Sequence, residues 1–174
     1  DYAFNQYRQN LIDTTQTIIQ HMRSNNIDTA GMQTLNERYG GKNIGRNREM
    51  LQLIEPLYHA YIQNFATNNG IDFPGMIVDA ISCVNNGSYR HPYKYVLIDE
   101  YQDMSRPRYE LIRALRLQHD FSLFCVGDDW QSIYRFAGSD LHLILDFDRI
   151  WRAWGPTRMF QITTTRRFRQ SLID

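Results

Sequence analysis

An α/β fold, a short parallel sheet preceded by a helical subdomain, is predicted by three observations. Two brief apolar runs, Tyr95–Ile98 and Phe121–Val126, are separated by a single helical stretch, a strand–helix–strand spacing that sets the strands parallel. Each run ends directly in acids, Asp99–Asp103 after the first and Asp128–Asp129 after the second, where ligands of parallel sheets bind. Upstream, the apolar residues follow only a helical period.

The elements follow in order. Phe4, Tyr7, Leu11, Ile18 and Met22 fall on one face of a long amphipathic helix. A second helix starts after Asp28, a good N-cap, and runs to about Tyr39, before the Gly40-Gly41 break. The third stretch carries Met50, Leu51, Leu53, Ile54, Leu57, Tyr58, Tyr61, Ile62 and Phe65, and Pro56 predicts either a kink or two abutting helices there. Asn68-Asn69-Gly70 ends it. Asp72 and Pro74 then begin a helix whose stripe, Met76, Ile77, Ala80, Ile81 and Val84, reads as core packing.

After the first strand, Ser105 is expected to cap a helix with Pro107 in its first turn and Leu111, Ile112 and Leu115 on one face. Both strands read as buried. Asp140 to about Trp154 is expected to be helical and to fold back over the sheet, and Arg158–Thr163 is a third candidate strand. Trp130 is expected to pack inside.

Composition narrows the class. Apolar residues make up 43% and charged residues 22% of 174, ordinary for a globular protein and unlike a disordered or fibrous one. No apolar run is long enough to cross a membrane. Cys83 and Cys125 lie in separate apolar patterns, which reads as two reduced core thiols and points to the cytoplasm. The formal net charge of zero argues against a module that binds nucleic acid mainly by neutralising phosphates. Residues 91–174 nevertheless carry twelve basic and eleven acidic side chains, against seven and eight in residues 1–90, and the two signs gather at separate points. Such separation suits a metal–phosphate site with acids on one side and cations on the other.

Carboxylates crowded at the end of a strand repel one another and are costly to desolvate, so folding alone does not call for them. A metal ion with a polyphosphate would offset that cost. In a nucleotide-hydrolysing site the strand-end acid, here Asp99, holds Mg²⁺, and the next, Glu100, polarises the attacking water. Gln102 and Asp103 complete the cluster; a loop chosen only for solubility has no need of them. The bland alternative is that Asp103 and Ser105 merely cap the following helix.

The run Asp99-Glu100-Tyr101-Gln102-Asp103, with Val126-Gly127-Asp128-Asp129-Trp130-Gln131-Ser132-Ile133-Tyr134-Arg135-Phe136-Ala137-Gly138, resembles motifs II and III of the UvrD/Rep-type superfamily 1 DNA helicases. Trp130 and the Phe168-Arg169-Gln170-Ser171 run look closest to the DNA helicase IV branch. The resemblance implies a partial RecA-like (P-loop NTPase) sheet, with ATP and Mg²⁺ as cofactors and single-stranded DNA and duplex junctions as partners. By the same resemblance Asp99 binds the metal and Glu100 is the catalytic base. Gln131 senses the γ-phosphate, Gln102 and Asp103 belong to the nucleotide side, and Arg169 reaches the γ-phosphate from the second motor domain. Tyr134 and Phe136 would stack on DNA bases, although both could also be core aromatics; Ala137 stands where relatives often carry arginine.

The implied layout is a helical insertion over residues 1–70, the second half of motor domain 1A over 71–165, and the start of domain 2A over 166–174. The chain has no Gly-x-x-x-x-Gly-Lys-Ser/Thr loop and begins with Asp, so it is expected to be an internal piece of a 3′–5′ helicase and silent alone. Two other readings use the same residues. One is a metal-dependent nuclease on Asp99, Glu100 and Asp103; the other is a helical domain that binds protein partners.

Overall fold

The computed structural model of the chain describes residues 2–133 and 138–164. Helices dominate, and one two-stranded parallel sheet sits among them. The order is α1 (Tyr2–Ser24), α2 (Thr29–Tyr39), α3 (Ile44–Thr67), α4 (Phe73–Asn85), β1 (Tyr95–Ile98), α5 (Arg106–Gln118), β2 (Ser122–Cys125), α6 (His142–Leu145) and α7 (Phe147–Trp151).

Local chemistry accounts for the helix starts. Asp28 and Asp72 adopt extended backbone and accept the Gly31 and Gly75 N–H groups, satisfying donors that have no partner inside the helix. Pro107 occupies the first turn of α5 as expected, but the Ser105 side chain makes no cap bond. Ser105 instead pairs through its backbone with Ser139. Pro56 does not divide the third stretch, since α3 runs through it as one element.

The helical half packs around Ile19, Met22, Ile54 and Tyr58. Only the C-terminal part of α1 uses its apolar stripe this way; Phe4, Tyr7 and Leu11 are exposed. In the second half, α4 and α5 close over Val84, Ala114, Leu115 and Phe121, while Tyr101, Met104, Tyr109, Leu143 and Trp151 form a separate cluster. The two sheet-side clusters receive the same face of the strands, namely Val96, Ile98, Leu123 and Cys125.

The strands pair in parallel register, Tyr95 opposite Ser122 and Ile98 opposite Cys125. They are not buried on both sides as their apolar runs suggest. Tyr95, Leu97 and Phe124 point to the bare face, with Leu97 73% exposed. Period-two alternation puts consecutive side chains on opposite faces, and α4, α5 and the final helices cover one face only.

Three further expectations are corrected. Residues 158–163 form no strand, and Met159, Phe160 and Ile162 lie exposed. Cys83 faces solvent on α4 rather than the core, although both cysteines are free. The stretch from Asp140 is broken into two short helices and a 3₁₀ turn at Arg152–Trp154 rather than one long helix. No helix among the described residues is long and apolar enough to cross a membrane.

Candidate active site

Parallel pairing brings both acidic loops to one end of the sheet. The Val126 N–H donates to the Ile98 carbonyl and the Tyr101 N–H to the Val126 carbonyl, both at 2.8 Å, so the two chains leave the sheet locked together. At that point Glu100 takes left-handed backbone angles, φ 51° and ψ 44°. A side chain with a Cβ adopts them at a cost of about 1 kcal/mol. The reversal drops the chain into a 3₁₀ turn, Tyr101–Asp103, and leaves the Asp99 and Glu100 carboxylates in solvent.

Beneath them the loop is anchored. Tyr101 and Gln102 are both 2% exposed. The Tyr101 hydroxyl accepts the Trp151 indole N–H at 2.9 Å, and burial raises the Tyr101 pKa well above its ordinary value, so the phenol stays neutral. Cys125, which ends β2, is a thiol pushed up to about 12 by burial and is no nucleophile at neutral pH.

Gln102 joins the two loops. Its Oε1 accepts the Asp128 N–H at 3.0 Å, which fixes the amide orientation, and its Nε2 donates to Glu100 Oε2 at 2.6 Å. Gly127 lets this happen: a Cβ there would lie 2.8 Å from Gln102 Oε1. Asp128 continues the series, accepting the Gln131 side-chain amide at 2.7 Å and the Trp130 N–H at 3.1 Å. One run of hydrogen bonds therefore links Glu100, Gln102, Asp128 and Gln131.

The sequence-predicted residues thus fall into three groups. Asp99, Glu100, Gln102 and Gln131 are brought together at the strand ends, with Asp99 Oδ1 accepting the Glu100 N–H at 2.9 Å. Asp103 stands slightly apart: its buried Oδ1 has no hydrogen-bond partner, and its carbonyl accepts from Arg108 at 3.2 Å. Tyr134, Phe136 and Arg169 lie outside the described residues. Trp130 does not pack inside but is 92% exposed.

Sequence reasoning placed Asp128 at a ligand-facing strand end but did not foresee its bonds to Gln102 and Gln131. It also passed over Arg38, Lys42, Arg46 and Arg48. All four are exposed around the α2–α3 hairpin, and among the described residues none is paired with a carboxylate. Buried Asn36 holds that hairpin, donating to the Ile44 carbonyl at 3.0 Å and accepting from Asn47 at 2.9 Å. The clue was four cations within residues 38–48 and no acid between them.

The donor set suits Mg²⁺, a hard cation that takes one or two carboxylates and completes its shell with water and phosphate oxygens. Asp99 offers such a carboxylate, open to solvent on a fixed strand end. No group of three His, Cys, Asp or Glu side chains among the described residues is placed to hold a metal without such help.

Known proteins share sequence with the chain. The chain is 39% identical over 119 residues to DNA helicase IV of Escherichia coli (strain K12), covering 68% of this chain and 17% of that protein. It is 33% identical over 103 residues to the ATP-dependent DNA helicase PcrA of Bacillus subtilis (strain 168), and 30% to that of Staphylococcus aureus (strain Mu50 / ATCC 700699). In both PcrA comparisons the match covers 56% of this chain and 14% of the relative, so the chain spans a small part of each of these proteins. Residues 3–151 match the UvrD/REP helicase N-terminal domain, and the chain belongs to that family.

Proposed function

We propose that this chain is the catalytic-acid half of an ATP-driven DNA motor, working in the cytoplasm on single-stranded DNA and duplex junctions and moving 3′ to 5′. The observation that carries the reading is the hydrogen-bonded run Glu100–Gln102–Asp128–Gln131 across two parallel strand ends. Residues 1–70 would be the helical insertion, 71–165 the second half of a RecA-like motor domain 1A, and 166–174 the start of domain 2A.

Bound Mg·ATP would supply the phosphoanhydride and neutralise its charge, with Asp99 as the metal's protein ligand. Glu100 would accept a proton from water as a general base. Gln102 keeps its carboxylate aimed, because the amide is held at both ends. Gln131, a neutral amide able to donate and accept, would exchange its bond to Asp128 for one to the γ-phosphate. That exchange would loosen the second loop, the natural route to the DNA-stacking residues Tyr134 and Phe136. Arg169 would close on the phosphate from domain 2A. Arg38, Lys42, Arg46 and Arg48, none of which meets a carboxylate among the described residues, favour contact with a phosphate backbone on the helical side.

Without a phosphate-cradling loop the 174 residues alone would neither hold ATP well nor turn it over. The nuclease reading would need a cluster of metal-holding acids; Asp103 turns its unpaired oxygen into the protein instead. The test is DNA-stimulated phosphate release by a full-length protein carrying this segment. Turnover that vanishes in Glu100→Gln supports the reading. Turnover unchanged in that variant, or Mg²⁺-dependent cleavage of single-stranded DNA, overturns it.

A further inference from the structure

The helical half and the strand half meet at one carboxylate. Asp72 caps α4 by accepting the Gly75 N–H at 2.8 Å, which any short polar side chain could do. It also receives Arg23 of α1, Nε to Oδ2 at 2.9 Å and Nη2 to Oδ1 at 2.5 Å, and the Tyr61 hydroxyl of α3 at 3.1 Å. The Arg23 and Asp72 side chains are only 17% and 10% exposed, so solvent screens this two-pronged pair poorly. Arg23 holds the Asp72 carboxyl below its ordinary pKa, and the same bond raises that of Arg23.

The space is as tight as the bonding. A Cβ on Gly75 would lie 2.6 Å from Asp72 Oδ1 and 2.7 Å from Arg23 Nη2. One residue beyond Arg23, Ser24 meets the tail of the second acidic loop: Gly138, at φ +94°, comes so near that a Cβ there would lie 3.2 Å from the Ser24 Cβ. That tail is held on its other side by the first loop, through the Ser105–Ser139 pairing and the Asp140 N–H to the Met104 carbonyl at 2.9 Å. The last turn of α1 therefore sits between Asp72 and the tail of the second acidic loop.

We propose that Asp72 is a positioning residue, the joint that fixes the helical half to the strand half and, with Arg23 and Ser24, makes α1 follow the tail of the second acidic loop. Its link to activity rests on the ATP-motor reading; the joint itself does not. Three variants separate this role from helix capping. Asp72→Asn keeps a cap acceptor and removes the charge that Arg23 needs. Arg23→Met keeps the apolar stem without the guanidinium. Gly75→Ala leaves every charge in place and wedges the pair apart, although alanine inside a helix is usually more stabilising than glycine.

Hydrogen exchange on the chain itself reads the joint directly. All three variants should speed exchange not only in α1 and α4 but at the Asp140 and Leu143 amides, with strand amides unchanged. Faster exchange confined to α1 and α4, or to none, overturns the proposal. In the full-length protein, Asp72→Asn should leave DNA-stimulated ATP turnover within about twofold and cut base pairs opened per ATP by about fivefold, the low end of coupling between sites. Equal loss of both, or no loss of either, overturns it. A wild type without ATP turnover would sink the motor reading alone, and the exchange result would still decide the joint.

Discussion

The two acidic loops leave the same end of the same sheet and are built in opposite ways. The first turns through a left-handed residue and is pinned by two fully sheltered side chains, Tyr101 against Trp151 and Gln102 against the neighbouring loop. The second leaves its strand through Asp128, Trp130 and Gln131 in solvent, and over residues 128–133 its described side-chain bonds are internal apart from those reaching Gln102. A rigid loop suits a group that must stay aimed, and a loosely tied one suits a group that must change partner. The contrast fits the roles proposed above, with Glu100 held in place and Gln131 changing partner.

The sharpest way to break that contrast is at the fixed end. Glu100→Gln preserves size and the bond from Gln102 but cannot take a proton, so DNA-stimulated ATP turnover in the full-length protein should fall by about 10²- to 10⁴-fold with the circular dichroism spectrum unchanged. Next comes the bridge. Gln102→Leu leaves the Asp128 N–H without its acceptor and Glu100 without its donor, and chemical denaturation should show a loss of about 1–3 kcal/mol. Stability unchanged in that variant would mean the loops are not joined.

Tyr101→Phe removes only the acceptor for the Trp151 indole, and the expected loss is about 1 kcal/mol by the same measurement. Smallest of all is Trp130→Ala, expected to shift stability by less than about 0.5 kcal/mol because the ring touches little. A larger loss would show that the second loop is packed after all and would erase the difference between the two.

Much of the frame was legible in the chain. Asp28 and Asp72 announce helix starts because a carboxylate before a helical stripe has backbone donors to satisfy, and both do so. The strand–helix–strand spacing gave the parallel pairing, and the acids fell at the strand ends as expected. What failed were statements about burial. An apolar pattern says which side a residue could turn toward a core, not whether anything stands there. Tyr95, Leu97 and Phe124 have no cover, Phe4 and Tyr7 lie exposed on the N-terminal part of α1, and Trp130 sits exposed in a 3₁₀ turn. Residues 158–163 carry Met159, Phe160 and Ile162 in a strand-length run, but a strand needs a neighbour with free backbone groups, and among the described residues these form no strand pairing. The site's connectivity was illegible for a different reason: Gln102 acts through a residue 26 positions away, which only the folded sheet brings near.

Glu100 illustrates a conflict between robustness and chemistry. Its left-handed backbone would be more comfortable as glycine by about 1 kcal/mol, since glycine has no Cβ to crowd the carbonyl. With water able to take over the bond that Gln102 donates to this exposed carboxylate, a library of this chain selected only for heat tolerance should enrich Glu100→Gly and deliver sturdier proteins without the proposed proton acceptor. At this codon, survival in a melting screen and survival in a cell that needs the motor would pull in opposite directions.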